Sequence, residues 1–221
     1  MSKILLPSPG PWAWQQFLAK PDLQWVTGYS AKTLAYAWEA SGGMPPEIDA
    51  ALAQAFGPAE TLLVIPERKT PLPGGRRESQ SDVFVLVRHA GGLAACTIEG
   101  KVDEPFGPTV SDWMVDASAG KIERLNYICG LLGLRDCPPD VHYQLLHRTA
   151  AALIEADRFC ANDAAMIVHS YSPERRWFAA FERFAGLFGR ALLEDAVVFE
   201  VPSGRRLLLA WVNGEQHFRS M

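Results

Sequence analysis

Lysine is scarce in this chain: only six of its 21 basic residues are lysines, and 25 acidic residues leave a net charge of −4. Phosphate polymers are bound largely by charge neutralisation, so this balance argues against a protein that coats nucleic acid unselectively. A local basic track is still open. Arg76-Arg77, Arg175-Arg176 and Arg205-Arg206 are the pairs that offer one, although solubility is the commoner role of such pairs. Cysteine is sparse too. Cys96, Cys129, Cys137 and Cys160 contain no C-x-x-C pair, and none of the five histidines stands at zinc-site spacing from them. Reduced core thiols in the cytoplasm are therefore expected. No apolar run approaches the roughly 20 residues of a membrane span. Lys3-Ile4-Leu5-Leu6-Pro7 is too short for a secretory segment, so no membrane partner is expected. The patterns G-x-S-x-G, G-x-x-x-x-G-K-S/T and G-x-G-x-x-G are missing, which leaves no hydrolase elbow, nucleotide loop or dinucleotide fingerprint. There is no internal repeat.

What remains is an ordinary globular composition, 48% hydrophobic and 21% charged over 221 residues. That suits one domain, 1–221, with a sizeable core. Its most informative stretch opens at Asp82. Val83 to Val87 and Leu93 to Ile98 are β-branched or aromatic-rich runs, separated by His89-Ala90-Gly91-Gly92. Two such runs around a short glycine-containing loop predict a β-hairpin. Side chains alternate along a strand, so Thr97, Glu99 and Lys101 share one face and Ile98 takes the other. The hairpin thus brings Asp82 and Glu99 together at one end of a sheet, with the Lys101 amine beside them. Two carboxylates and one amine suit a hard divalent cation and a phosphate.

Glu-x-Lys alone is a weak signal, since about one acidic-x-Lys triplet is expected by chance in such a chain. A second one, Glu67-Arg68-Lys69, follows Pro66 and has no carboxylate upstream on a partner strand, so it reads as a decoy. The plain alternative for Glu99 and Lys101 is an ion pair on a half-exposed strand, worth under about 1 kcal/mol.

The order of elements adds context. A helix is expected from Pro11 to Ala19, another from an N-cap at Ser30 to Ala40, and a third from Pro45-Pro46 to Phe56. Thr61 to Ile65 is a short strand, followed by a loop from Pro66 to Ser81 and then the Asp82 hairpin. Val110 to Leu132 reads as mostly helical, Asp140 to Cys160 as a long helix, and Ala164 to His169 as a strand. Pro173 opens an aromatic helix to Phe188, whose Trp177, Phe181, Phe184 and Phe188 stripe suits the core, with a homodimer interface as the lesser reading. Val197 to Val201 and Arg206 to Val212 form a closing hairpin.

Helix, three strands, helix, strand, with Asp opening the second strand and Glu-x-Lys ending the third, resembles the PD-(D/E)xK phosphodiesterase superfamily. The resemblance covers about residues 30–170. It implies an α/β fold with a restriction-endonuclease-like αβββαβ core and a mixed central sheet flanked by helices. N-terminal helices and a C-terminal helix and hairpin would be additions. The stretch from Glu99 to Gly107 also resembles one that recurs in a family of bacterial proteins of uncharacterised activity.

By that resemblance Asp82 and Glu99 match the metal-binding carboxylates, for Mg²⁺ or Mn²⁺, and Lys101 the catalytic lysine. An Ile98 or Gly100 carbonyl would add a backbone ligand. Glu39 matches an acidic position that completes the metal shell in some branches. Gln144 begins the helix where exonuclease branches carry Gln followed by Tyr four residues on; here Arg148 takes the second place, and both are candidate substrate contacts on DNA. Ser81 stands where the family often has Pro. Gly100 replaces the apolar residue that usually anchors the strand, which predicts a looser site. The resemblance implies a metal-dependent nuclease; the acidic charge and Gly100 suit a silent binding or assembly module instead.

Overall fold

The computed structural model describes residues 3–5 and 8–221, so Leu6 and Pro7 of the N-terminal segment lie outside it. Its framework is a mixed six-stranded sheet flanked by helices. Strand β2 (Ser79–His89) and strand β3 (Gly92–Lys101) are joined by the two-residue turn Ala90-Gly91, with His89 opposite Gly92. Val83, Val85 and Val87 point to one face and Phe84 and Leu86 to the other, as the period of two demands. β1 (Ala59–Thr70) lies antiparallel to β2, and β4 (Asp163–Ser170) lies parallel to β3. β6 (Arg206–Asn213) runs parallel to β4, and β5 (Ala196–Glu200) closes the far edge, giving the order β1-β2-β3-β4-β6-β5. β4 is buried along its whole length, which explains its unbroken Ala-Ala-Met-Ile-Val run.

Ahead of the sheet come a 3₁₀ helix (Pro11–Phe17), α1 (Pro21–Gln24), α2 (Ser30–Ala40) and α3 (Pro46–Phe56). Leu34, Trp38, Ile48 and Leu52 of α2 and α3 pack on one face of the sheet with Ile98 and Ile167. The other face is covered by α5 (Ala119–Leu132), α6 (Tyr143–Arg158) and α7 (Phe178–Gly186), through Ile128, Leu145, Leu146, Phe181 and Phe184. Each such side chain, fully buried, contributes about 1.5–3 kcal/mol. No described helix is long and apolar enough to cross a membrane.

Several boundaries differ from expectation, each for a local reason. β1 runs through Pro66 to Thr70 and β2 begins at Ser79, so half of the expected loop is strand. Proline is tolerated there because β1 is an edge strand. The 110–132 segment is broken into α4 (Val110–Trp113) and α5, each with its own cap, at Thr109 and Ser118. The aromatic helix starts only at Phe178, because Arg175 and Trp177 turn the chain with φ of 52° and 72°. Phe181 and Phe184 are core residues, while Trp177 is partly exposed.

The expectation of four reduced core thiols is overturned. Cys96 alone is a buried free thiol, Cys160 is exposed, and Cys129 and Cys137 are disulfide-bonded. α5 ends in a left-handed Gly133, which reverses the chain and returns Cys137 to the side of Cys129.

Gly100 corrects a second expectation. A Cβ added there would lie 2.8 Å from Leu34 Cδ1 and 3.3 Å from Asp82 Oδ2. The missing side chain therefore tightens the structure, letting α2 sit directly on β3. Gly100→Ala should destabilise the protein by about 1–3 kcal/mol in urea unfolding, and adding Leu34→Ala should recover less than additive loss, because the clash partner is gone.

Candidate active site

Three adjacent strands carry three carboxylates to one place. Pro66 pairs with Val83 and Arg68 with Ser81, which sets Glu67 opposite Asp82. The β2–β3 ladder ends at Val83–Ile98, leaving Asp82 and Glu99 neighbours just beyond it. There the Gly100 N–H donates to Asp82 Oδ2 at 2.8 Å instead of to a strand carbonyl. Glu67, Asp82, Glu99 and Lys101 line one cavity of about 270 Å³.

Glu99 is its most engaged member, only 3% exposed. Lys101 Nζ donates to its Oε1 at 2.8 Å and Gln144 Nε2 to the same oxygen at 2.6 Å. Arg148 Nε donates to Oε2 at 2.6 Å. Gln144 and Arg148 stand one turn apart on α6, so both reach across from one helix face. Arg148 also donates to Ser79 Oγ at 3.2 Å, and that hydroxyl meets His147 Nδ1 at 2.8 Å. Lys101 lies over the Phe106 ring at 5.0 Å.

The electrostatics are uneven. Burial pushes the Glu99 carboxyl up, but the Lys101 ammonium and Arg148 guanidinium outweigh it and hold Glu99 below its usual range. Asp82 has no such direct pair. Burial, reinforced by the Glu99 charge, raises it to about 7. Burial and the Asp82 charge push Glu67 well above the carboxylate range. Burial, with Arg148 alongside, keeps the His147 ring neutral by lowering its pKa. Three carboxylates thus face two fixed cations, and the surplus falls on Asp82 and Glu67.

Glu39 does not line this cavity. Its carboxylate accepts from Trp14 Nε1 at 2.7 Å and from Ser8 Oγ. α2 presents its N-terminus, Tyr29 to Ala31, to the cavity, and Glu39 lies about 13 Å along the axis. Ser30 is not the N-cap either. Glu104 serves that end from a distance, accepting from Ser30 N at 2.6 Å and Val102 N at 2.9 Å. Glu67, read from sequence as a decoy, was the residue missed. Its only signal was the second Glu-x-Lys triplet, which needed the longer β1 to acquire a partner strand.

Asp82 and Glu67 offer a cation the least-occupied oxygens, since Asp82 Oδ2 takes only the Gly100 N–H and Glu67 Oε2 only the Gln80 amide at 2.7 Å. Glu99, with three donors, keeps one lone-pair position. Among the described residues no group of three or more His, Cys, Asp or Glu side chains is gathered so as to hold a metal ion. A cation such as Mg²⁺, which binds through one or two carboxylates and fills its shell with water and substrate, would need no such group, and Asp82 and Glu99 are the residues that would hold it.

A carboxyl held above its ordinary pKa keeps its proton in the folded chain after the unfolded chain has lost it. The contribution of Asp82 to stability therefore declines as pH rises from 3.8 towards about 7. In chelator, Asp82→Asn should remove that decline while still accepting from Gly100. Its melting temperature should gain on wild type across this window, and equal pH slopes would refute the charge surplus.

No curated protein and no solved structure gives a significant match to the chain. One family model, described as a domain of unknown function (DUF6946), matches residues 7–216, and the chain belongs to that family.

Proposed function

We propose that this chain is a divalent-metal-dependent nuclease that hydrolyses phosphodiester bonds in DNA, built on a restriction-endonuclease-like core. The observation that carries this reading is the shared cavity of Asp82, Glu99 and Lys101 at the open end of the β2–β3 hairpin. The order α2-α3-β1-β2-β3-α4-α5-α6-β4 supports it, since it contains the helix, three strands, helix and strand that the superfamily resemblance implies, with α3 after the first helix and α4 and α5 ahead of α6.

Asp82 and Glu99 would hold Mg²⁺ or Mn²⁺, with Glu67 adding negative charge from the neighbouring strand. A bound divalent ion supplies a nucleophile near neutral pH and polarises a phosphoryl oxygen. Lys101, a compact three-donor cation already fixed by Glu99 and Phe106, orients a water or meets charge building on the phosphate. Arg148 and Gln144 hold Glu99 in one orientation, and Gln144 also reaches the cavity surface as a candidate substrate contact.

One observation favours the second reading, a silent binding or assembly module. Glu99 already accepts from Lys101, Gln144 and Arg148, so two cations and an amide hold its charge in place without any added ion.

Calorimetry with Mn²⁺ or Mg²⁺ separates the two. Wild type should bind at millimolar concentration or below, and Asp82→Asn should bind more weakly. Lys101→Ala removes no metal ligand, so it should bind at least as well as wild type while DNA cleavage falls by roughly 10²-fold, about 2.7 kcal/mol of barrier. Absence of metal binding at millimolar concentration leaves the module reading in place, and cleavage unchanged in Lys101→Ala removes the assignment of that lysine.

A further inference from the structure

The carboxylate cavity is small, about 270 Å³. Leu18, Leu23 and Gln24 of the N-terminal segment line it, together with the start of α2 and Glu104. Gln80 ties this N-terminal segment to the carboxylates, donating to the Phe17 carbonyl at 3.2 Å as well as to Glu67. A space of about 270 Å³ ending on a nearly buried Glu99 suits about one nucleotide unit of an unpaired, unstacked strand.

The cavity has neighbours on both sides. Past Leu18 and Gln80 lies a second cavity of about 490 Å³ lined by Ala19, Lys20, Lys69, Arg77, Glu78 and Gln80. Lys20, Lys69 and Arg77 make no ion pair with any described residue, whereas the other two basic pairs in the sequence are neutralised. Arg175 and Arg176 bind Asp195 and Asp103, and Arg205 and Arg206 bind Asp157 and Asp163. Arg124 pins the loop that carries Arg77, donating to the carbonyls of Leu72, Pro73 and Gly75 at 2.7–3.1 Å. Beyond Lys101 and Gln144, which line both spaces, a third cavity of about 320 Å³ is walled by Pro105, Phe106, Pro108, Tyr143 and His147. A basic groove beside the carboxylates is an arrangement that can track a nucleic-acid backbone.

We propose that the substrate is a single strand of DNA. It runs through these adjoining cavities, with Lys20, Lys69 and Arg77 gripping phosphates next to the one that meets the carboxylates. The proposal rests on reading the carboxylate cavity as the phosphodiester site.

Binding measured in chelator tests it apart from chemistry. Fluorescence anisotropy of a labelled oligodeoxythymidylate, and of a duplex of equal length, is read over a salt series. The expected result is at least tenfold tighter binding of the single strand. In the triple variant Lys20→Ala, Lys69→Ala, Arg77→Ala it should weaken at least tenfold, with the salt slope falling by about 2 for three lost phosphate contacts. These residues are exposed, so the variant keeps its core, and the strand-versus-duplex comparison needs no variant at all. Equal or tighter duplex binding overturns the proposal, as does a triple variant with unchanged affinity and slope. Failure of both polymers to bind, with bis(p-nitrophenyl) phosphate still hydrolysed in Mn²⁺, overturns it in favour of a small phosphodiester. Duplex cleavage without strand preference overturns it and leaves the nuclease standing; strand binding that needs the basic cavity, with no cleavage in Mn²⁺, removes the nuclease and overturns the strand as substrate, leaving it a bound ligand.

Discussion

The contact on which the site depends is the triple engagement of Glu99. A carboxylate this deeply buried is tolerable only when its charge and lone pairs are met, and removal of one partner of such a group typically costs about 3–5 kcal/mol. Lys101 meets it from its own strand, and Gln144 and Arg148 meet it from α6. The two bonds from α6 fix how that helix lies against β3, because a helix whose arginine and glutamine must reach one carboxylate can neither slide nor rotate freely. Thr97 reinforces that register by donating to the Arg148 carbonyl at 3.0 Å. Polar satisfaction thus sets the docking of the helix, and apolar burial supplies the driving force behind it.

On the opposite face α2 is positioned by complementary means. Gly100 gives room for Leu34, and Glu104 ties the first amide of α2 to the chain just past Lys101. One short segment, Glu99 to Glu104, therefore contacts the helices on both sides of the sheet. A shift in either helix is transmitted to the lysine and to the end of the hairpin. Asp82 completes the coupling by replacing a strand carbonyl as the acceptor for the Gly100 amide.

Much of this was legible because it follows from period two. Asp82, Glu99 and Lys101 belong to a local hairpin, so sequence spacing places them near one another. The helix ends at Ala40 and Phe56 were equally plain, marked by glycine just beyond. The illegible parts all depend on partners far along the chain. Glu67 joined the site because β1 continues past a proline that only an edge strand accepts. Glu104 caps a helix 74 residues away. Glu39 missed the cavity because the direction in which α2 approaches the sheet is a tertiary property. Gly100 was read as slack, when its meaning lay in the leucine packed against it.

The antiparallel strands β1, β2 and β3 are sequential neighbours, whereas Arg148 and Gln144 come 49 and 45 residues after Glu99. Local hairpins close faster than long-range contacts. The nascent meander therefore gathers three carboxylates at one end before their arginine arrives, and mutual repulsion keeps that end splayed and wet. Docking of α6 is the event that permits its closure. In kinetic terms the carboxylate end belongs to the late side of the folding barrier, so substitutions there act mainly on the unfolding rate.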